Sequence, residues 1–199
     1  MAFFSAQNAG LAFMIVAVLS IIAAIIGIVC SVMDVEGFDK YKTLYYIVVG
    51  IGELIVACMY FTYGKKIRSG EISAKIDILA QFVKIVGIAT IVSAIFLLVA
   101  EFVGSDEFSF GAAAGSAALF IIIGLILIFI AGKINDGKQT TGDKIIWILL
   151  LIAFILGIIG AVGEIISIIL IINGICDLII YVFMFILLID PEVKEQMNM

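Results

Sequence analysis

From Tyr45 to Tyr63 the chain reads Tyr-Tyr-Ile-Val-Val-Gly-Ile-Gly-Glu-Leu-Ile-Val-Ala-Cys-Met-Tyr-Phe-Thr-Tyr, and it closes on the basic knot Gly64-Lys65-Lys66-Ile67-Arg68. A helix that crosses a bilayer needs about 20 mostly apolar residues at ~1.5 Å rise each. This run meets that requirement with a single carboxylate, Glu53, near its middle. Apolar residues make up 65% of the 199 and charged ones only 14%. A soluble domain averages roughly a quarter charged and about half apolar. A water-soluble core cannot absorb this excess, so the solvent is lipid. The composition predicts an all-α polytopic membrane protein, with one membrane domain over residues 1–199 and no soluble domain.

Similar runs predict spans near Leu11–Met33, Tyr45–Tyr63, Ile78–Phe102, Phe110–Ala131, Ile145–Val162 and Ser167–Ile189. Between Ile145 and Ile189 the only charged side chains are Glu164 and Asp177. As one straight helix that stretch would be about 68 Å long at ~1.5 Å per residue, twice the hydrocarbon thickness. It therefore folds back, and Gly160-Ala161-Val162-Gly163-Glu164 is the expected turn. Six spans make three hairpins, about 11–63, 78–131 and 145–189.

Lys and Arg in short loops set orientation. Lys65, Lys66, Arg68 and Lys75 follow the second span, and Lys133, Lys138 and Lys144 follow the fourth. The opposite loops hold Lys40 and Lys42 beside Asp34, Glu36, Asp39, Asp106 and Glu107. This predicts both termini on the cytoplasmic face of the plasma membrane. Residues 1–10 carry no Lys or Arg, so the first run is read as a span rather than a cleaved signal peptide. Tyr41, Tyr45 and Tyr46 at one end of the second span, with Tyr60 and Tyr63 at the other, read as interfacial belts.

The hairpins repeat. Odd spans share small residues at spacing three: Ala17, Ser20, Ala23; Gly87, Thr90, Ser93; Gly157, Gly160, Gly163. Even spans share a Gly with Leu four places on: Gly50 to Leu54, Gly115 to Leu119, Gly174 to Leu178. The knots echo as Lys66-Ile67-Arg68-Ser69-Gly70 and Lys133-Ile134-Asn135-Asp136-Gly137. The chain is thus three parallel repeats entering from one side, unlike the inverted halves of many transporters. Small residues let helix backbones approach in lipid, so the Gly50, Gly87, Gly157, Gly160, Gly163 and Gly174 faces and the Gly111-x-x-x-Gly115 pair are expected packing seams. Gly50-Ile51, Gly174-Ile175 and the Lys65-Lys66 knot, on a short chain of three hairpins, resemble the HdeD-type acid-resistance membrane-protein family. The resemblance implies a role in envelope stress and supplies no catalytic residue.

Glu53 and Asp177 occupy matching places in the first and third hairpins, with Ala118 in the second. Each lies about a dozen residues from the expected cytoplasmic end of its helix, roughly 18 Å deep at ~1.5 Å per residue. A charge at that depth costs at least ~2.5–3.5 kcal/mol and is a functional hypothesis by default. Two such acids sharing a site cannot easily both ionise, so they could share a proton or a monovalent cation. Alternatively, each stays protonated and bonds Asn173, Thr90, Ser93 or a backbone carbonyl as interhelix glue. Lys84, about seven residues past Asp77, either snorkels to the interface or pairs with one of the acids. Glu101, Asp106, Glu107 and Glu164 form an expected outer acidic rim, read as solvated turns or as a vestibule for cations.

There is no histidine, which removes the commonest metal ligand and proton shuttle. Cys30, Cys58 and Cys176 form no Cys-x-x-Cys pair and read as free thiols. Phosphate loops, zinc-protease motifs and nucleophile elbows are missing. The expectation is a protein without cofactor, metal or enzymatic activity that binds no nucleic acid. Lipid surrounds it, and its small-residue faces suit self-association or a membrane-protein partner. Three functions follow: a structural or envelope-stress component, a small proton or cation conductor through Glu53 and Asp177, or an accessory subunit of a larger complex.

Overall fold

The computed structural model describes residues 5–33, 43–104, 110–166 and 171–199. Asp34, Glu36, Asp39, Lys40, Tyr41, Lys42, Asp106, Glu107 and Ser167, which figured in the reading above, lie outside them. Six helices are long and apolar enough to cross a membrane: α1 (Ala6–Val32), α2 (Thr43–Arg68), α3 (Lys75–Gly104), α4 (Phe110–Ile134), α5 (Thr141–Ile166) and α6 (Ile171–Leu188). A short α7 (Pro191–Gln196) follows. Only 11% to 33% of each span's most apolar window is buried inside the protein, so most of the apolar surface faces outward. Ile15, Ile22, Ile26, Leu119, Leu125 and Phe129 are all exposed. A contiguous apolar exterior of this extent belongs in lipid, and the chain is an integral membrane protein.

Tight packing falls within the hairpins α1/α2, α3/α4 and α5/α6. Between hairpins, α2 lies on α3 and α1 on α6, whereas α4 and α5 barely touch. The three hairpins therefore do not obey a threefold axis: two of the three interhairpin seams are extensive and the third is sparse. Each helical pair approaches at glycine. A Cβ on Gly64 would lie 2.7 Å from the Gly10 carbonyl oxygen, and one on Gly87 would lie 2.7 Å from that of Gly124. In the third hairpin a Cβ on Gly174 would meet Ile165 N at 2.7 Å. Of the expected seam residues, Gly50 and Gly157 also sit against neighbours, Ile28 and Tyr181 respectively. Gly111, Gly115, Gly160 and Gly163 do not: nothing lies within 4 Å of their Cβ positions. They occupy helix faces turned outward, and a spacing rule alone cannot tell the inward face from the outward one.

The echoing knots are real turns. Gly70 and Gly137 both hold positive φ, +79° and +69°, the left-handed conformation that stops helices and favours glycine. Between them the knots keep their charges locally paired, Lys66 with Glu71 at 3.0 Å and Lys133 with Asp136 at 3.4 Å. The backbone N–H of Lys138, with Lys133 beside it, holds the Asp136 carboxyl below the usual carboxylate range. The expected turn at Gly160–Glu164 is not one: α5 runs on to Ile166. Glycine is tolerated inside membrane helices, so a cluster of two glycines did not end this one.

The core occupies one half of the bundle, the half that carries both termini. It joins Phe13, Tyr63, Ile78, Phe82, Trp147 and Leu187. Helix α7, unforeseen from the sequence, covers this end with buried Val193. Asp190 caps it, accepting from Glu192 N at 3.1 Å, and Pro191 starts it, the Asp-Pro pattern of a helix N-terminus. Lys75 Nζ reaches Asp190 Oδ1 at 2.9 Å and Glu192 Oε2 at 3.0 Å, tying α7 to the start of α3. Trp147 Nε1 donates to the Leu188 carbonyl at 2.9 Å, and Lys194 lies 5.6 Å from its ring centroid.

Two outcomes test this packing. Gly64→Ala drives a methyl into the Gly10 backbone and costs about 1–3 kcal/mol, while Gly115→Ala, facing open space, is neutral or slightly stabilising by about 0.5–1 kcal/mol. Equal melting temperatures in detergent for the two variants would show that α1 and α2 do not meet at Gly64. Asp190→Ala removes the cap and one of the two partners of Lys75, at about 1–3 kcal/mol, and should free the last nine residues for proteolysis; a trypsin pattern unchanged from wild type would contradict the tie.

Candidate functional site

Above the core, in the other half of the bundle, the helices enclose a cavity of about 230 Å³. Helical spacing aims its walls. On α2, Glu53, Ala57 and Tyr60 stand at i, i+4 and i+7, one face of the helix. On α6, Asn173, Cys176, Asp177 and Ile180 share a face in the same way. Ser20 of α1 and Ser93 of α3 complete the ring, and Glu164 of α5 closes it. A second, smaller cavity of about 160 Å³ shares Glu53 and Ser93 and continues along α2 and α3 past Gly52 and Phe96, away from the termini.

Glu53 and Asp177 thus face one cavity, as matching places in the repeat suggested, and Asn173 stands beside them. They are not equally enclosed: Asp177 is half-buried, while Glu53 is exposed at the mouth. Glu164 joins them instead of standing on a solvated turn. The cause is Gly174, which lets α6 lie on the backbone of α5 at Ala161 and Ile165 and brings the Glu164 stem to the same level. One oxygen of Glu164, Oε2, is buried without a hydrogen-bond partner from the protein. Among the described residues, no protein hydrogen bond reaches Glu53 or Asp177 either. The lining holds three carboxylates and no cationic side chain. Lys84 is exposed on the outside of α3 and lines neither cavity. Glu101 is half-buried on α3, also away from both. The carboxylates are spread around the wall rather than converged: among the described residues, no group of three or more acids, Cys or His stands in a metal-binding arrangement.

The floor is aromatic. The Phe13 ring lies 6.4 Å from Tyr60, nearly parallel at 9°, and 4.9 Å from Tyr63 edge-on. It also meets Phe82 at 5.8 Å, which in turn meets Phe154 at 6.0 Å. The Tyr63 hydroxyl donates to the Ile78 carbonyl at 2.6 Å and pins the set. Tyr60 and Tyr63 are therefore core groups and not an interfacial belt; Tyr63 is 2% exposed. Position near a helix end suggested the belt, but the basic knot extends α2 by more than a turn beyond Tyr63, to Arg68, and carries the interface with it. The floor separates the acids from the end that carries the termini. Cys176, whose Sγ lies 3.9 Å from the Val16 carbonyl, also lines the cavity. The i+7 spacing from Glu53 would have found Tyr60, whereas no sequence signal pointed to Phe13.

A labelling experiment tests the floor. In a variant with Cys30→Ser and Cys58→Ser, Cys176 should react slowly with a water-soluble maleimide presented on the termini side, and Phe13→Ala should speed the reaction by about tenfold, equivalent to ~1.4 kcal/mol of barrier. Equal rates would show that Phe13 blocks nothing. No family model, curated protein or solved structure matches the chain.

Proposed function

We propose that the protein is a non-enzymatic component of the cytoplasmic membrane that conducts protons or a monovalent cation, with Glu53, Asp177 and Glu164 as the relay. The observation that supports this most is that three carboxylates, with no cationic side chain, line one cavity. Carboxylates that share a low-dielectric cavity with no cationic side chain do not all stay ionised. They hold protons or they hold a cation, and the exchange of one for the other is the chemistry such a site offers.

Glu53, exposed and shared by both cavities, receives the ion or proton from the side away from the termini. Asp177 and Glu164 then accept it further in. The hydroxyls of Ser20 and Ser93 and the amide of Asn173 supply oxygens that replace part of a hydration shell. Onward passage requires the Phe13–Tyr60 stack to part, which makes that stack the gate. The glue reading is weaker, because it calls for each acid to bond across a seam and the described residues offer no such bond to any of the three. A role in envelope stress rests on the resemblance to the HdeD-type family, and a proton or cation leak responsive to acid is compatible with it.

The test is flux into liposomes carrying the purified protein and a trapped pH dye, under proton and K⁺ or Na⁺ gradients. Glu53→Gln and Asp177→Asn should each lower the flux about tenfold or more, the equivalent of at least ~1.4 kcal/mol of barrier, with melting temperatures near wild type. A silent wild type, or variants that conduct normally, would end the proposal.

A further inference from the structure

On the opposite side of α2 an open groove of about 710 Å³ runs between α2 and α3. Its walls are apolar, with Ile51, Leu54, Ile55 and Met59 on α2 and Ile85 on α3. Its end nearest the termini is polar, where Lys66 and Glu71 form an exposed ion pair at 3.0 Å. We infer that this groove is a binding site for one membrane glycerophospholipid whose headgroup carries a primary ammonium, with the phosphate at Lys66, the ammonium at Glu71 and an acyl chain along the α2 wall.

The length fits. Ile51 precedes Lys66 by 15 positions, about 22 Å along a helix at ~1.5 Å per residue. That is one leaflet of a ~30 Å hydrocarbon core together with its headgroup layer. The direction also fits, because the charged pair stands at the helix end and the apolar walls run from it toward the middle of the bilayer. The charges fit a zwitterion better than an anion. A headgroup holding both signs can lie antiparallel on the Lys66–Glu71 pair and complete both partners. An anionic headgroup would satisfy Lys66 and meet repulsion from Glu71. Lys65 and Arg68 share this end of α2 but do not line the groove. The groove shares no lining residue with the acid-lined cavity, which opens on the other face of α2.

Native mass spectrometry of the purified, delipidated protein tests the assignment, with phosphatidylethanolamine, phosphatidylglycerol or phosphatidylcholine added back. One phosphatidylethanolamine should be retained in preference to either alternative. Glu71→Gln should remove that preference by a factor of about three to five, the scale of an exposed ion pair, and Lys66→Ala should weaken retention of all three lipids. Ile55→Trp, which fills the groove from a lipid-facing position, should lower phosphatidylethanolamine occupancy without changing the melting temperature of the lipid-free protein. Equal or greater retention of phosphatidylglycerol, or an unchanged preference in Glu71→Gln, would overturn the assignment. Should Ile55→Trp prove unfolded, Met59→Trp on the same wall gives the same readout.

Discussion

In lipid, apolar side chains gain nothing by leaving the solvent for one another. Helices come together only where shape lets their atoms meet closely or where polar groups need company. The three hairpins show the first mechanism at Gly10–Gly64, Gly87–Gly124 and Gly174–Ala161, where one helix rides on the backbone of the next. The same constraint explains why the core is lopsided. Around Phe13, Tyr63, Phe82 and Trp147 large rings fill the space and a short cap seals it. In the other half α4 stays with α3, and the third seam carries few contacts. The cavity lies in that half, where helices still meet at Gly50, Gly52 and Gly174.

The acids stand in that unfilled half. Placing them in the dense half would have required desolvating each against aromatic neighbours, at several kcal/mol per ion even after relaxation. Around the cavity, Glu53, Asp177 and Glu164 stand clear of those rings. The aromatic floor then has two consequences from one set of contacts. It holds α1, α2, α3 and α5 together, and on the proposed reading it is the barrier an ion would have to disturb. Under the proposed conduction, stability and permeability would be coupled through the same rings.

Much of this was written in the chain. Hydropathy located the spans, because each run of about 20 apolar residues has one solution in a bilayer. The repeat paired them into hairpins, and the echoing knots ended in glycines that do adopt the left-handed conformation. Matching places in that repeat put Glu53 and Asp177 on one cavity. What failed had a common cause. Glu164 was assigned to a turn, Gly111, Gly115, Gly160 and Gly163 to seams, and Tyr60 and Tyr63 to a belt, each from position along the chain alone. A helix has a face as well as a length, and in lipid both faces are apolar, so the pattern that marks the inward side of a soluble helix is washed out. Only contacts between helices, such as Gly174 on α5, decide which way a residue points.

Helix α2 shows how far face matters. At 3.6 residues per turn, successive residues turn by about 100°. Glu53, Tyr60 and Gly64 then fall within about 40° of one another, and Ile55, Thr62 and Lys66 fall on the opposite side. The first set faces the acid cavity, its floor and the backbone of α1; the second lines the outer groove. Tyr63 lies between the two, its ring edge-on to Phe13 and its side chain lining the groove. It is 2% exposed and its hydroxyl is fixed to Ile78 of α3. A displacement of Tyr63 toward the groove therefore has to loosen the Phe13 contact, and a filled groove opposes that displacement. Through its Phe13 contact, Tyr63 thus ties what sits against the lipid side of α2 to the packing under the cavity floor.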